Sequence, residues 1–290
     1  MRNIIYAIAL IVVIGGLAYH FTALRLFNVL VPKDAGTQLV AEAVAYGPDV
    51  RQRLDVYAPS NRDSHLHLPI LLFVYGGSWN DGARGNYAFA GRAFAAKGYL
   101  TLVMDYRLMP EHPFPSFVED VARAVAWAEK QGAVYGGDPT RIFAVGHSAG
   151  AYDIALAVLD KHYLRETGAD PAALRGIATL AGPFDFLPLD TKVTLETFGK
   201  VADLAATQPI NFARADAPPF LLLTGSNDTT VYPKNSRALA RRMGDMGATV
   251  EIKEYADMDH TGIMLALAKP FRKTTAPVLD DIVAFFAKQN

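Results

Sequence analysis

The chain has 290 residues with a formal net charge of -1, and it contains no cysteine. The near-neutral balance, with no basic block and no aromatics interleaved among Lys or Arg, excludes the electrostatic footprint of a nucleic-acid binder. The missing thiols exclude disulfides, thiolate metal sites and a cysteine nucleophile, so the fold must rest on its core.

The N-terminus carries neither charge nor a strongly polar residue from Ile4 to Tyr19, and its apolar character continues through Leu24, interrupted by His20 and Thr22. As a helix, Ile4 to Leu24 would span roughly 30 Å at about 1.5 Å per residue, enough for a bilayer core. Its apolar residues go round all faces, which favours a lipid-facing segment over a buried core helix. Arg2 before the run and the small residues Gly16 and Ala18 also suit a cleaved secretory signal. The run extends past that possible cut, so the expectation is an uncleaved membrane anchor over residues 1–30 in contact with lipid, its catalytic domain extracytoplasmic. Secretion or periplasmic release after cleavage is the alternative. Arg25 and Lys33 partly offset Arg2 and leave the orientation weakly set.

The rest of the chain, residues 31–290, reads as one domain, with a polar link from about Val31 to Leu39. Leu39–Tyr46 and Arg51–Tyr57 flank the turn signal Gly47-Pro48-Asp49 and are expected to pair as an antiparallel hairpin. Ile70–Tyr75, Leu100–Met104, Ile142–Val145, Gly176–Leu180, Phe220–Thr224 and Val250–Tyr255 are short apolar runs typical of strands buried on both faces. Helical patterns at Tyr87–Lys97, Phe117–Gln131, Ala149–His162, Lys234–Met246 and Ala276–Lys288 fall between or after them. The alternation predicts an α/β fold, with a mostly parallel central sheet and helices on both faces. Residues 183–217 interrupt it with only a short helical pattern near Val201–Ala206. A stretch so long after a strand end is expected to form a small cap over the site.

Gly146-His147-Ser148-Ala149-Gly150 follows an apolar run and precedes a helical pattern, which reads as a nucleophile elbow. The glycines let the chain turn sharply and leave the Ser148 hydroxyl exposed. A serine hydroxyl is a poor nucleophile near neutral pH; it needs a base, a group to orient that base, and donors for the oxyanion. His260 lies on a loop between the last predicted strand and the terminal helix, the position that best suits a base. His65 and His67 occupy a polar loop, His112 lies among prolines, His162 is late on a helix, and His147 belongs to the elbow itself. Asp228 follows a buried strand and a glycine turn and is assigned as the orienting acid. Asp257 and Asp259 are the rivals, disfavoured because they are sequence neighbours of His260. Gly76-Gly77-Ser78-Trp79 follows a strand, so the backbone N–H groups of Gly77, Ser78 and Ala149 are expected to form an oxyanion hole. Trp79, Tyr152, Phe184 and Phe186 are candidate pocket walls. Asp153, one turn into the helix behind Ser148, has no evident role beyond a helix-dipole interaction.

Together, Gly146–Gly150, Tyr75-Gly-Gly-Ser-Trp79, the segment Asp105 to Pro115, Asp228 and His260 resemble the α/β-hydrolase fold family from about Leu39 to Gln289. The likeness is closest to its esterase and lipase branch, related to hormone-sensitive lipase and to acyl-peptide or kynurenine-formamidase-like enzymes. The resemblance implies hydrolysis of small to medium carboxylic esters by a Ser-His-Asp triad, with no metal and no organic cofactor. The same machinery would serve an arylformamide or short-peptide amide. A tethered binding protein that keeps the fold without catalysis is the alternative of another class. Members of this branch usually carry histidine where this chain has Tyr75, and that histidine helps hold the oxyanion loop.

Overall fold

The computed structural model describes residues 23–61 and 67–289. The expected anchor falls mostly on residues 1–22, outside the described residues, as does His65. No described helix is long and apolar enough to cross a membrane. Residues 23–30 are helical and lie on the domain: the Phe27 ring meets Phe89 edge-on at 5.3 Å, and Asn28 donates to the Gly85 carbonyl while accepting from the Phe89 N–H. A bidentate pair between Arg272 and Asp34 fastens the next stretch.

Eight strands form one sheet in the order β1-β2-β4-β3-β5-β6-β7-β8. The hairpin expected from the Gly-Pro-Asp turn is present as β1 (Thr37–Ala45) and β2 (Arg53–Pro59), and β2 also runs antiparallel to β4. The remaining strands are parallel: β3 (Leu68–Val74), β4 (Leu100–Met104), β5 (Gly137–His147), β6 (Leu174–Leu180), β7 (Phe220–Gly225) and β8 (Val250–Tyr255). This is the α/β-hydrolase fold. Continuous apolar runs put β3, β4 and β7 out of solvent on both faces. β8 departs from that expectation. As the edge strand, with Glu251, Lys253 and Glu254 in its sequence, it is half-buried to exposed, and those charges guard an open edge against pairing with another chain.

The helices are α1 (Ala88–Ala95), α2 (Ser116–Gln131), α3 (Ala149–Leu159), α4 (Lys161–Thr167), α5 (Lys192–Phe198), α6 (Lys234–Asp245), α7 (Gly262–Leu265) and α8 (Val278–Ala287). The single helix expected over Ala149–His162 is broken at Asp160. That residue is extended, with ψ of 101°, and its carboxylate accepts the His162 N–H to start α4. Within 183–217 the expected pattern at Val201–Ala206 yields only a 3-10 turn, Leu204–Thr207, and the true helix is α5. Its start is marked by Thr191 and Thr194, whose side chains cap each other's backbone.

Right-handed crossovers decide where the site falls. From β3 the chain steps to β4 on one side, then returns across β3 to β5 and continues the other way. The strand order therefore reverses between β3 and β5, and the crevice at their carboxyl ends is where open α/β sheets bind ligands. The loop after β3 begins at Tyr75, and the residue after β5 is Ser148.

Candidate active site

Ser148 has φ of 54° and ψ of -121°, a left-handed strained conformation between β5 and α3. The elbow is sterically specified. A Cβ on Gly150 would stand 2.3 Å from the Val74 carbonyl oxygen, and one on Gly146 would stand 2.5 Å from that of Gly150. Only glycine lets α3 start so close to both strands. On the far side, a Cβ on Gly76 would come within 2.7 Å of the Ser148 Cβ, so the loop after β3 lies directly against the elbow.

Ser148 Oγ and His260 Nε2 are 2.9 Å apart, and His260 Nδ1 is 2.8 Å from Asp228 Oδ2. The other Asp228 oxygen accepts the N–H groups of Thr230 and Val231 at 2.9 and 2.8 Å, so the carboxylate is both buried and fixed in orientation. The rival acids are used locally. Asp259 Oδ1 accepts the Gly262 N–H at 2.6 Å, and the Asp257 backbone donates to Ser226 Oγ in a turn where Asp257 has φ of 57°. Neither holds the imidazole.

His147, set aside at the sequence level, touches the site. Its Nε2 lies 2.9 Å from the His260 carbonyl and its ring centroid 4.9 Å from that of His260. Burial foremost, and then the neighbouring His260, push its pKa down to about 3, so the ring is neutral and Nε2–H donates to that carbonyl. The remaining described histidines lie elsewhere: His67 beside the Gly137 carbonyl, His112 with Asp49, and His162 with Asp160.

The loop from Gly76 to Gly82 is strained along its middle. Gly77, Ser78 and Trp79 have φ of 151°, 53° and 59°. A Cβ at Gly77 would strike the Asp81 carbonyl oxygen at 2.0 Å. Each non-glycine residue held this way costs on the order of 1 kcal/mol and persists only where surrounding contacts over-determine it. Tyr75 supplies part of that support. Its hydroxyl donates to Asp105 Oδ1 at 2.7 Å and accepts from Arg51 Nη2 at 2.9 Å, and the same Arg51 nitrogen donates to the Gly82 carbonyl at the loop's far end. Asp105 is further held by Arg84, whose Nε reaches Asp55. The Tyr75 ring stacks on Tyr87 at 5.0 Å, with 6° between their planes. Burial raises the Tyr75 pKa well above the ordinary phenol value, and the facing Asp105 adds to the effect, so the hydroxyl stays a donor. A phenol thus stands where the resembled family carries an imidazole, and Asp105 supplies its acceptor.

Three of the four expected wall residues lie inside the core. Trp79, Tyr152 and Phe184 are buried, and only Phe186 is partly exposed. Trp79, Tyr152 and Phe186 pack as an aromatic group with Phe198 of α5, whose ring centroid is 5.0 Å from Trp79 and 5.4 Å from both Tyr152 and Phe186. The open groove of about 1070 Å³ lies beside them, between the Met109–Pro115 stretch with Asn80 on one side and Leu195 to Val201 on the other. Asp153 is also corrected. It is wholly buried, its pKa raised well above the carboxylate range by burial, and its Oδ1 accepts from Trp79 Nε1 at 2.8 Å.

Comparison with known proteins places these features in a lineage. The family described as BD-FAE matches residues 54–243. A probable isoprenylcysteine alpha-carbonyl methylesterase of Oryza sativa subsp. japonica is 30% identical over 278 residues, covering 87% of this chain and 63% of that protein. Esterase LipC of Mycobacterium tuberculosis is 32% identical over 220 residues, covering 69% of this chain and 54% of LipC. The chain thus spans between half and two thirds of the length of these curated relatives. In fold, esterase B from Lactobacillus rhamnosis superposes with a TM-score of 0.80 at 19% identity, over 100% of this chain and 98% of that one.

Proposed function

The chain belongs to the BD-FAE family of α/β-hydrolase esterases, and from that premise we propose that it hydrolyses carboxylic esters through Ser148, His260 and Asp228. The observation that carries this reading is the unbroken hydrogen-bonded series from Ser148 Oγ through the His260 ring to Asp228. Ser148 attacks the acyl carbon as His260 Nε2 takes its proton, and Asp228 stabilises the imidazolium through Nδ1–H. The N–H groups of Gly77, Ser78 and Ala149 receive the oxyanion. Collapse of the tetrahedral species expels the alkoxide, which takes the proton back from His260. A water deprotonated by the same ring then releases the acid from the acyl-enzyme.

The apolar part of the ester is assigned to the groove walled by Met109, Pro110, Phe114, Leu195 and Val201, and small to medium acyl esters are the proposed substrates. The plant relative's name joins an isoprenyl group to a methyl ester, so a prenylcysteine methyl ester belongs in the substrate panel beside acyl esters of graded length. A fluorophosphonate should label Ser148, and ester kcat/KM should exceed that for an arylformamide or an aminoacyl amide. A folded chain that neither labels nor turns over any of these would sink the hydrolase reading.

The apolar run Ile4–Leu24 supports membrane attachment, and a catalytic domain outside the cytoplasm is part of the proposal. Fractionation should recover the intact chain with membranes. A shortened soluble chain would mean signal cleavage instead.

A further inference from the structure

The buried acid on α3 is a group the hydrolytic steps leave unused. Every residue of α3 is buried, and Asp153 lies one turn beyond Ala149 on it. Its Oδ1 accepts the Trp79 indole N–H, while its Oδ2 has no partner among the described residues. The indole is hemmed in by Tyr152 at 5.2 Å, Phe198 at 5.0 Å and Phe117 at 5.9 Å. A buried indole needs an acceptor for its single donor, and in this aromatic surround Asp153 provides it. Trp79 is also the chain neighbour of Ser78, and both hold left-handed backbone conformations.

We propose that Asp153 is a positioning residue of the oxyanion hole. Through Trp79 it ties the loop that carries the Gly77 and Ser78 N–H groups to the helix whose first N–H, that of Ala149, completes the same hole. This rests on the reading of Ser148 as an ester-hydrolysing nucleophile. The donors sit on two separate elements, the β3 loop and α3, and the Trp79 side chain crosses from one to the other. Asp153 takes part as a hydrogen-bond acceptor through Oδ1, a role the amide oxygen of asparagine can also fill. Without the strut, the left-handed turn at Ser78 and Trp79 is free to relax, and the donors leave the position where charge develops. Donors serve the transition state only while they are already in place.

The test is steady-state ester hydrolysis by the full chain, with tighter binding of an aryl boronic acid as a report on the tetrahedral state. D153L should lower kcat by roughly 10- to 100-fold with KM changed less than about twofold, within the range for donors displaced by about an ångström. Boronate affinity should fall in parallel with kcat. D153N keeps the acceptor and should hold kcat to within about threefold. W79F removes the bond from its other end and should resemble D153L, and the W79F/D153L pair should be no worse than the poorer single variant. W79F also carries the test if D153L does not fold. Folded D153L or W79F with native kcat and boronate affinity overturns the inference, as does a D153N enzyme as weak as D153L. A wild-type chain without ester turnover would count against the hydrolytic reading instead. The strut is then read from the Trp79 indole N–H resonance, expected to shift and exchange faster in D153L and to stay native-like in D153N. An indole unchanged by D153L overturns the strut.

Discussion

The two arms that meet at Ser148 are held by different kinds of support. The proton-transfer arm is short and local. Asp228 and His260 follow the neighbouring parallel strands β7 and β8, one hydrogen bond joins them, and the carboxylate is fixed by the N–H groups of residues just beyond it. The proposed oxyanion arm is strained and supported from afar: Arg51 from the β1–β2 connection, Asp105 from the end of β4, and Asp153 from α3 all bear on the segment from Tyr75 to Gly82. A base need only be within reach and free to pass a proton. Fixed dipoles stabilise a developing charge only if they do not reorganise when it forms, and that requires rigidity from several directions.

The largest losses are expected on the proton-transfer arm. S148A should abolish turnover and move Tm by no more than about 2 °C, because the lost hydroxyl is bonded to His260 and contributes little packing. Scanning calorimetry beside the ester assay checks both halves. D228N should cost about 10⁴-fold in kcat by presenting the wrong tautomer, as in the serine-protease precedent. D257N should stay within severalfold of wild type, since that side chain does not hold the imidazole. Equal damage from D257N would reassign the acid.

Y75F turns to the other arm and should have a smaller effect. It keeps the stack on Tyr87 but removes the hydroxyl between Asp105 and Arg51. A hydrogen bond to a charged partner contributes about 1.5–3 kcal/mol, part of which Arg84 retains by still pairing with Asp105. A fall in kcat of about tenfold with KM nearly unchanged is expected from initial rates on a short-chain ester. Native kcat would assign the loop's rigidity to the aromatic stack alone.

The same contrast explains what could be read from the sequence. The parallel sheet, the elbow and the Asp228–His260 order are written in short contiguous signals: apolar runs, a glycine-flanked serine, and polar residues just past strand ends. The supports of the oxyanion arm join residues far apart in the chain, such as Arg51 with Tyr75 and Trp79 with Asp153, and no local pattern announces them. Tyr75 and Asp153 stood out only as oddities, one in place of an expected histidine and one a carboxyl in an otherwise apolar helix. They belong to two separate networks that grip the same loop. α5 is signalled only by a Thr-Thr capping box, and aromatic residues near a serine do not reveal from the sequence whether they line a pocket or, like Trp79, Tyr152 and Phe184, fill the core.

The two arms also differ in proton linkage. His147 braces the His260 loop, and its pKa is pushed from 6.5 down to about 3, chiefly by burial. The unfolded chain therefore holds the extra proton between about pH 3 and 6.5, and in that window His147 makes stability rise with pH. Asp153 behaves oppositely. Burial raises its pKa above 3.8, with the nearby Asp120 adding to the shift and the Trp79 hydrogen bond opposing it. The folded chain therefore holds the extra proton above about pH 4, and stability falls as pH rises toward the folded pKa. The His147 linkage has a limiting slope of about 1.4 kcal/mol per pH unit, and above about pH 4 the Asp153 linkage opposes it. H147Q, which keeps an N–H for the His260 carbonyl, should expose the Asp153 slope and become less stable from pH 4.5 to 6 relative to wild type. D153N should expose the His147 slope and gain stability over the same interval. H147Q should diverge from wild type by about 2 kcal/mol across that span, or several degrees in Tm for a domain of this size, and D153N should diverge in the opposite direction. Denaturation curves for the three proteins at a few pH values check the signs, and parallel curves would mean that neither group changes its protonation on folding.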